Sequence, residues 1–93
     1  MKLKGKVAII TGASKGIGKG IAVRYAQEGA AVVLASRSLN LLTSIAGEIN
    51  RQGGKALALE VDVTKYRSVA QMVDKTVEHF GRLDIMVNNA GIS

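Results

Sequence analysis

The 93-residue sequence contains no cysteine, no proline and only one histidine. Without cysteine the chain forms neither disulfides nor thiolate metal sites, and one histidine cannot make a histidine cluster, so we expect no metal centre. No segment approaches the roughly 20 apolar residues that a membrane-spanning helix needs. The basic start, residues 1–7, also lacks an apolar stretch long enough for a signal peptide. We therefore expect a cytoplasmic protein with no membrane partner.

Charge of one sign is not concentrated in any part of the chain. The 13 lysines and arginines outnumber the 7 acidic residues, which gives a net charge of +6. A basic chain can bind nucleic acid, but these cations are spread over the whole sequence without a run. We interpret them as a solvated mixed surface from which a few cations can serve an anionic ligand. Nucleic acid is therefore not an expected partner.

What the sequence does have is an alternation of short apolar runs with amphipathic segments. The runs of strand length are 7–11, 31–35, 56–61 and 84–88. The amphipathic segments lie between them, and each ends near a glycine: Gly29, Gly53 or Gly81. The clearest helical stripe consists of Val69, Met72, Val73, Thr76, Val77 and Phe80.

This order of elements is βαβαβαβ, with strands that are apolar on both faces. Such strands are typical of a parallel sheet covered by helices on each side. We predict an α/β fold, a doubly wound parallel Rossmann-type sheet truncated to about four strands and three helices. Because nucleotide-binding enzymes of this class usually need more chain, we interpret residues 1–93 as the N-terminal part of a single dinucleotide-binding domain.

A glycine-rich turn, Thr11–Gly18, joins the first strand to the first helix. In such a turn backbone N–H groups and the helix N-terminus face a phosphate with no side chain in the way. We expect Gly12 to allow the sharp turn, Gly16 to admit a pyrophosphate and Gly18 to let the helix pack on the strand. The spacing excludes a P-loop and differs from the usual G-x-G-x-x-G pattern. A plain glycine-rich connection remains the alternative.

The pattern Thr-Gly-x-x-x-Gly-Ile-Gly resembles the short-chain dehydrogenases/reductases. Asp62 and Val63, after the third strand, are similar to the adenine-binding pair of that family, whose carboxylate accepts from the adenine amino group. Residues 88–91, Asn-Asn-Ala-Gly, resemble the family signature that forms the floor beneath the cofactor. The three motifs occur in the family order along the entire chain. Within the family the resemblance is closest to 3-oxoacyl carrier-protein reductases and their broad relatives, although nothing identifies a substrate.

The end of the second strand bears on which nicotinamide cofactor binds. An acid about 20 residues past the glycines favours NAD, but no acid lies between Ala30 and Glu48. Arg37 can instead pair with a 2′-phosphate and stack on adenine, and Lys15 can reach the same region, as the comparable residue does in NADP-using members. We predict that NADP(H) is preferred and that NAD(H) is possible. The alternative is that both cations are simply solvated.

These motifs and cations together define the predicted cofactor-binding residues. They are Gly12, Ser14, Lys15, Gly16, Ile17, Gly18, Arg37, Asp62, Val63, Asn89, Ala90 and Gly91.

The resemblance implies hydride transfer between nicotinamide and a carbonyl or alcohol, assisted by Tyr, Lys, Ser and Asn. The family's Tyr-x-x-x-Lys pattern is missing, because Tyr25 and Tyr66 are followed four residues on by glycine and alanine. Ser93 is not placed like the family's catalytic serine, and His79 is interpreted as a surface residue at a helix end. We predict no catalytic residue, and we expect the chain alone to bind the cofactor weakly or not at all and to be inactive.

The family's strand order, 3-2-1-4-5-6-7, implies that the fourth strand is interior, so that its far edge, Ile85 to Asn88, is open here. An exposed apolar edge usually finds a partner, and we expect self-association or pairing with a second segment. Three interpretations stay open: part of an NADP-dependent reductase or dehydrogenase, a non-catalytic nucleotide-binding or sensory module, and a truncated product that only assembles with itself.

Overall fold

The computed structural model describes residues 1–90. Its strands and helices alternate as the sequence predicts. They are β1 (Val7–Thr11), α1 (Gly16–Gln27), β2 (Ala31–Ser36), α2 (Leu39–Arg51), β3 (Lys55–Glu60), α3 (Tyr66–Phe80) and β4 (Ile85–Val87). Most boundaries fall within a few residues of the predicted ones, and β4 is shorter than the predicted run 84–88. In the part of the chain described, no helix is long and apolar enough to cross a membrane.

The strands form one parallel sheet in the order β3-β2-β1-β4. All five residues of β1 and the first five of β2 are buried, as expected for strands covered on both faces. The predicted Rossmann-type α/β fold is thereby confirmed. Because the strands are parallel, the loops that follow β1, β2, β3 and β4 gather at one edge of the sheet.

Helices cover the two faces of this sheet unequally within residues 1–90. The helices α1 and α2 pack on one face, where Ala22, Leu42 and Ile49 belong to a buried apolar cluster. The other face is covered by α3, whose Met72 packs with Ile9 and Val33 of the central strands.

The predicted stripe of α3 is correct except at one position. Met72 and Thr76 are buried, and the Thr76 hydroxyl donates to the Met72 carbonyl at 2.8 Å. Val77, in contrast, is 43% exposed. The reason is that α3 has no neighbouring helix on this face among residues 1–90, so the flank of its apolar stripe has nothing to pack against.

The start of β4 is fixed to the start of β1 by Asp84. Its Oδ2 accepts from the Val7 N–H at 2.8 Å, and its own N–H donates to the Val7 carbonyl at 2.9 Å. The hydrogen bond from Arg82 and then the one from Val7 lower the pKa of the Asp84 carboxyl. On its other side β4 pairs with no strand in the described residues. Met86, which alternates with Ile85 and Val87 and so lies on the α3 face of the sheet, is 39% exposed.

Candidate functional site

The glycines of the turn after β1 have distinct surroundings. Gly12 and Gly16 have φ values of 63° and 58°, a left-handed conformation that favours glycine. A Cβ at Gly12 would lie 3.0 Å from the Ala90 Cα, and one at Gly18 would lie 2.2 Å from the Gly12 carbonyl oxygen. A Cβ at Gly16 would meet no described atom within 4 Å. Gly12 and Gly18 therefore serve close packing, whereas Gly16 borders open space.

The buried hydroxyl of Thr11 ties the end of β4 to this turn. It accepts from the N–H groups of Asn89 at 3.0 Å and of Ala90 at 3.1 Å, and it donates to the Val87 carbonyl at 3.3 Å. The Asn89 side-chain amide donates to the Gly12 carbonyl at 3.3 Å. Thr11 was not among the predicted site residues. A hydroxyl residue that ends an apolar strand just before the glycines was the signal for it.

The N-terminus of α1 faces the same space as Gly16. No side chain in residues 1–90 caps this helix, and its first turn contains no acid. Lys15 at the N-cap is exposed, and Ile17 is an apolar side chain with 70% exposure. The same lack of a cap holds for α2 and α3. What distinguishes α1 is the glycine backbone in front of it, which leaves its first N–H groups accessible to an anion.

Two adjoining clefts run along the carboxyl edge of the sheet. The first, here called the turn cleft, has a volume of about 320 Å³ and is lined by Gly12, Ser14, Lys15, Gly16, Ile17, Asn89 and Ala90. The second, here called the arginine cleft, has a volume of about 360 Å³ and is lined by Gly12, Ser36, Arg37, Val61, Val63, Thr64 and Ala90. Gly12 and Ala90 line both, so the two clefts adjoin at these residues.

An ion pair lies at the arginine cleft. The Arg37 Nη2 donates to the Asp62 Oδ1 at 2.9 Å, with side-chain exposures of 69% for the arginine and 26% for the aspartate. The two residues follow β2 and β3, which are neighbours in the sheet and end in register at Ser36 and Glu60. The sequence suggested two separate ligand contacts for these residues, whereas the structure shows them paired with each other.

The Asp62 carboxylate is fixed by its own loop. Its Oδ1 accepts from the Thr64 hydroxyl at 2.6 Å and from the Thr64 N–H at 3.0 Å. Its backbone N–H donates to the Ser68 hydroxyl at 2.9 Å. The Thr64 hydroxyl, then Arg37, then the Thr64 N–H hold the pKa of the Asp62 carboxyl far below its usual value. The group is therefore an ionised carboxylate at neutral pH, and hydrogen bonds from its own loop hold it in place.

Nine of the predicted residues line one of the two clefts, and two others among residues 1–90 do not. Gly18 lies behind the turn, against Gly12 and Asn89. Asp62 lies beside the arginine cleft, in the pair with Arg37. Gly91 is outside the described residues.

His79 is exposed near the end of α3. Its ring lies edge-on to the Phe80 ring, with 4.5 Å between the two ring centroids. The described residues contain no group of three histidines or acids that could hold a metal.

The comparison with known families agrees with this architecture. The family model described as short chain dehydrogenase matches residues 6–93. A hydroxynaphthalene reductase-like protein, Arp2, of Metarhizium acridum is 43% identical over 90 residues, which are 96% of this chain and 34% of that protein. A 1,6-dihydroxycyclohexa-2,4-diene-1-carboxylate dehydrogenase of Acinetobacter baylyi is 42% identical over 86 residues, 92% and 33% of the two chains. The chain thus spans about a third of these relatives.

Solved structures of similar proteins superpose on nearly the whole chain. A 7α-hydroxysteroid dehydrogenase in complex with NADH and 7-oxo glycochenodeoxycholic acid has a TM-score of 0.91 and 39% identity, over 94% of this chain and 34% of its own. A metagenomic short-chain oxidoreductase in complex with NADP has a TM-score of 0.91 and 38% identity, over 99% of this chain and 42% of its own.

Proposed function

Since the chain belongs to the short chain dehydrogenase family, we propose that it forms the N-terminal, cofactor-binding part of a single Rossmann-type domain in an oxidoreductase. The nicotinamide cofactor of such an enzyme supplies hydride transfer to or from a carbonyl or alcohol carbon. The observation that carries the proposal is that the two clefts share Gly12 and Ala90 and lie along the edge where doubly wound sheets bind dinucleotides.

The turn cleft is the proposed pyrophosphate site. Gly16 offers the open position, since even a Cβ there would meet no described atom within 4 Å, and the uncapped N-terminus of α1 offers N–H donors with a favourable dipole. Ser14 adds a hydroxyl and Lys15 a cation at the same cleft. Asn89 and Ala90, which are held by Thr11, form the floor on which the cofactor would lie.

The arginine cleft is the proposed adenosine site. Val63 lines its wall, and the Asp62 carboxylate is the proposed acceptor for the adenine amino group. Arg37 is the proposed partner of a 2′-phosphate, and no acid follows β2 to repel that phosphate. One solved relative is described with NADH and another with NADP, so the preference for NADP(H) over NAD(H) rests on Arg37 and Lys15.

The proposal assigns binding, and not turnover, to this chain. Neither tyrosine is followed by a lysine four residues later, so the tyrosine–lysine pair of the family has no counterpart in these residues. We expect the chain alone, which we place in the cytoplasm, to bind the nucleotide at most weakly and without oxidising or reducing it. The remaining two thirds of the length of its relatives would have to provide the acid–base residues and the substrate pocket.

The test is a titration of the purified chain with NADPH and with NADH, followed by the fluorescence of the reduced nicotinamide. We expect both to bind, with NADPH the tighter ligand. Equal affinity, or tighter NADH, would reject the NADP(H) preference. Absence of binding by either nucleotide would reject cofactor binding by this chain.

A second proposal concerns assembly and rests on the open edge of β4. Among residues 1–90 this strand pairs with β1 alone, and the Met86 side chain is 39% exposed. We expect the chain to self-associate through this edge, because unpaired strand edges template further pairing. Sedimentation should show an oligomer that Met86→Lys weakens. The control is Val77→Lys, the same kind of change at an exposed apolar residue of α3, which we expect to leave the oligomer intact. A wild-type chain that sediments as a folded monomer would contradict the proposal.

A further inference from the structure

We propose that Asp62 is a positioning residue for recognition of the 2′-phosphate, because its carboxylate holds the Arg37 guanidinium at the arginine cleft. The inference rests on the proposed function, since it concerns the adenosine end of the same nucleotide site. Asp62 would act on the phosphate through Arg37, while its own proposed contact is the adenine amino group.

The aspartate is the fixed half of the pair. Oδ1 accepts from the hydroxyl and the N–H of Thr64 as well as from Arg37. The backbone of Asp62 is held at both of its polar groups, by Ser68 and by the Lys65 N–H, which donates to the Asp62 carbonyl at 3.0 Å. The bonds with Thr64, Ser68 and Lys65 do not involve Arg37, so they hold the carboxylate in place when the arginine moves.

The arginine is the adjustable half. Among the described residues its guanidinium makes one hydrogen bond, through Nη2, and the side chain is 69% exposed. An unrestrained arginine loses considerable rotamer freedom when it binds a ligand. The contact with Asp62 removes part of that freedom in advance and leaves the other N–H donors for a phosphate, since guanidinium binds such groups through two parallel bonds.

The two oxygens of Asp62 allow both roles at once. Oδ1 carries all the hydrogen bonds that the carboxylate accepts from residues 1–90, and Oδ2 carries none. Oδ2 is therefore left for the adenine amino group while Oδ1 still holds Arg37. A phosphate can approach the free side of the guanidinium without displacing the aspartate.

The direction in which nucleotide preference changes when the Asp62 charge is removed distinguishes a positioning role from simple charge repulsion. Taken alone, the negative charge of Asp62 repels a phosphate, so its removal would strengthen binding of NADPH relative to NADH. If Asp62 positions Arg37, its removal weakens that relative affinity. The relevant quantity is the ratio of the Kd for NADH to the Kd for NADPH, because contacts to adenine affect both nucleotides equally and cancel.

The experiment is a double-mutant cycle with Asp62→Asn and Arg37→Gln, in which both Kd values are measured for all four proteins. Asparagine keeps an acceptor oxygen for Thr64 and removes the charge. We expect Asp62→Asn to lower the ratio by about threefold, the size of an exposed ion pair. When Arg37→Gln is already present, we expect the ratio to stay unchanged or to rise, because only the repulsion between the carboxylate and the phosphate then remains. An unchanged or raised ratio in Asp62→Asn alone would overturn the proposal, as would a fall that persists with Arg37→Gln.

Two further variants separate the contact between Asp62 and Arg37 from the general effect of a lost negative charge. Glu60→Gln removes the same charge two residues earlier, from a side chain with no ion pair in the described part of the chain. We expect the ratio to stay the same or to rise in this variant. A fall equal to that of Asp62→Asn would overturn the positioning role. Thr64→Val loosens the aspartate without changing any charge, and we expect a smaller fall in the same direction.

A measurement without nucleotide separates this inference from the proposed function. Side-chain NMR relaxation at arginine Nε should show Arg37 more ordered than Arg67, an exposed arginine without an ion pair among residues 1–90, and Asp62→Asn should abolish the difference. If nucleotides bind but Arg37 is as mobile as Arg67, the positioning role fails and the proposed function stands. If Arg37 is ordered by Asp62 but neither nucleotide binds, the proposed function fails and the phosphate role fails with it.

Discussion

The turn cleft and the arginine cleft adjoin each other but are built from different parts of the chain. The turn cleft is formed mainly by backbone: two glycines in left-handed conformations, the uncapped start of α1 and the Asn89–Ala90 segment. The arginine cleft is formed by side chains, with the ion pair of Arg37 and Asp62 beside it. The first is suited to a group that every dinucleotide shares, and the second to the features that distinguish one nucleotide from another.

The largest expected effect comes from disrupting the backbone of the turn. Gly18→Ala places a Cβ 2.2 Å from the Gly12 carbonyl oxygen and 2.5 Å from the Asn89 amide nitrogen. We expect a loss of about 3 kcal/mol in the free energy of unfolding, at the upper end for overpacking, measured by urea denaturation. The matched control is Gly20→Ala on the same helix, where a Cβ meets no described atom within 4 Å. Equal stabilities of the two variants would contradict the account of the turn.

The arginine cleft is tested next by reversing its charge. Arg37→Asp removes the proposed phosphate partner and adds a repelling carboxylate. We expect the affinity for NADPH to fall by about 2 kcal/mol, roughly 30-fold, while NADH binding changes little. The control is Arg67→Asp, which makes the same change at an exposed site outside both clefts. Parallel loss of both nucleotides would show that Arg37 does not discriminate between them.

A third variant loosens the floor that the two clefts share. Thr11→Val leaves the N–H groups of Asn89 and Ala90 without the acceptor they have in residues 1–90. Unsatisfied buried donors cost free energy, and we expect the unfolding free energy to fall by about 2 kcal/mol. Thr11→Ser keeps the hydroxyl and should retain most of the stability. If valine is tolerated as well as serine, the hydroxyl does not hold this floor.

The smallest expected effect is on the pH dependence of stability. Hydrogen bonds from Thr64 and Arg37 lower the pKa of Asp62 in the folded chain below its unfolded value. The stabilisation is therefore complete above the unfolded pKa, about 3.9, and is lost as the pH falls through the folded one. We expect the wild type to have a higher free energy of unfolding than Asp62→Asn at neutral pH, and this difference should shrink below about pH 4 when stability is measured during an acid titration. A difference in free energy of unfolding that grows as the pH falls would contradict a lowered pKa of Asp62.

The turn cleft could be predicted from the sequence because its features are local. Glycine is the residue that readily adopts the positive φ found at Gly12 and Gly16, and the close approach at Gly18 follows from a helix leaving a strand abruptly. The parallel sheet followed from the alternation of apolar runs and helical stripes, whereas the strand order was implied only by the resemblance to the family. The length of β4 and the exposure of Val77 followed from neither, because both depend on which neighbours pack there.

The arginine cleft could be predicted only in part. Its residues were identified one at a time, from the missing acid after β2 and from the motif at Asp62. Their ion pair depends on side-chain torsions and on the relative position of two loops 25 residues apart in sequence. The adjacency of β2 and β3 placed both residues at the same edge, but it did not determine that they would bind each other.

The central claim is that the two clefts form a single dinucleotide site. The most direct test is amide NMR of the chain during titration with NADPH. We predict that signals from Gly12, Gly16, Arg37 and Val63 shift together along one binding curve, while those of α2 remain in place. Shifts confined to one cleft, or shifts that follow the basic residues over the whole surface, would contradict the claim.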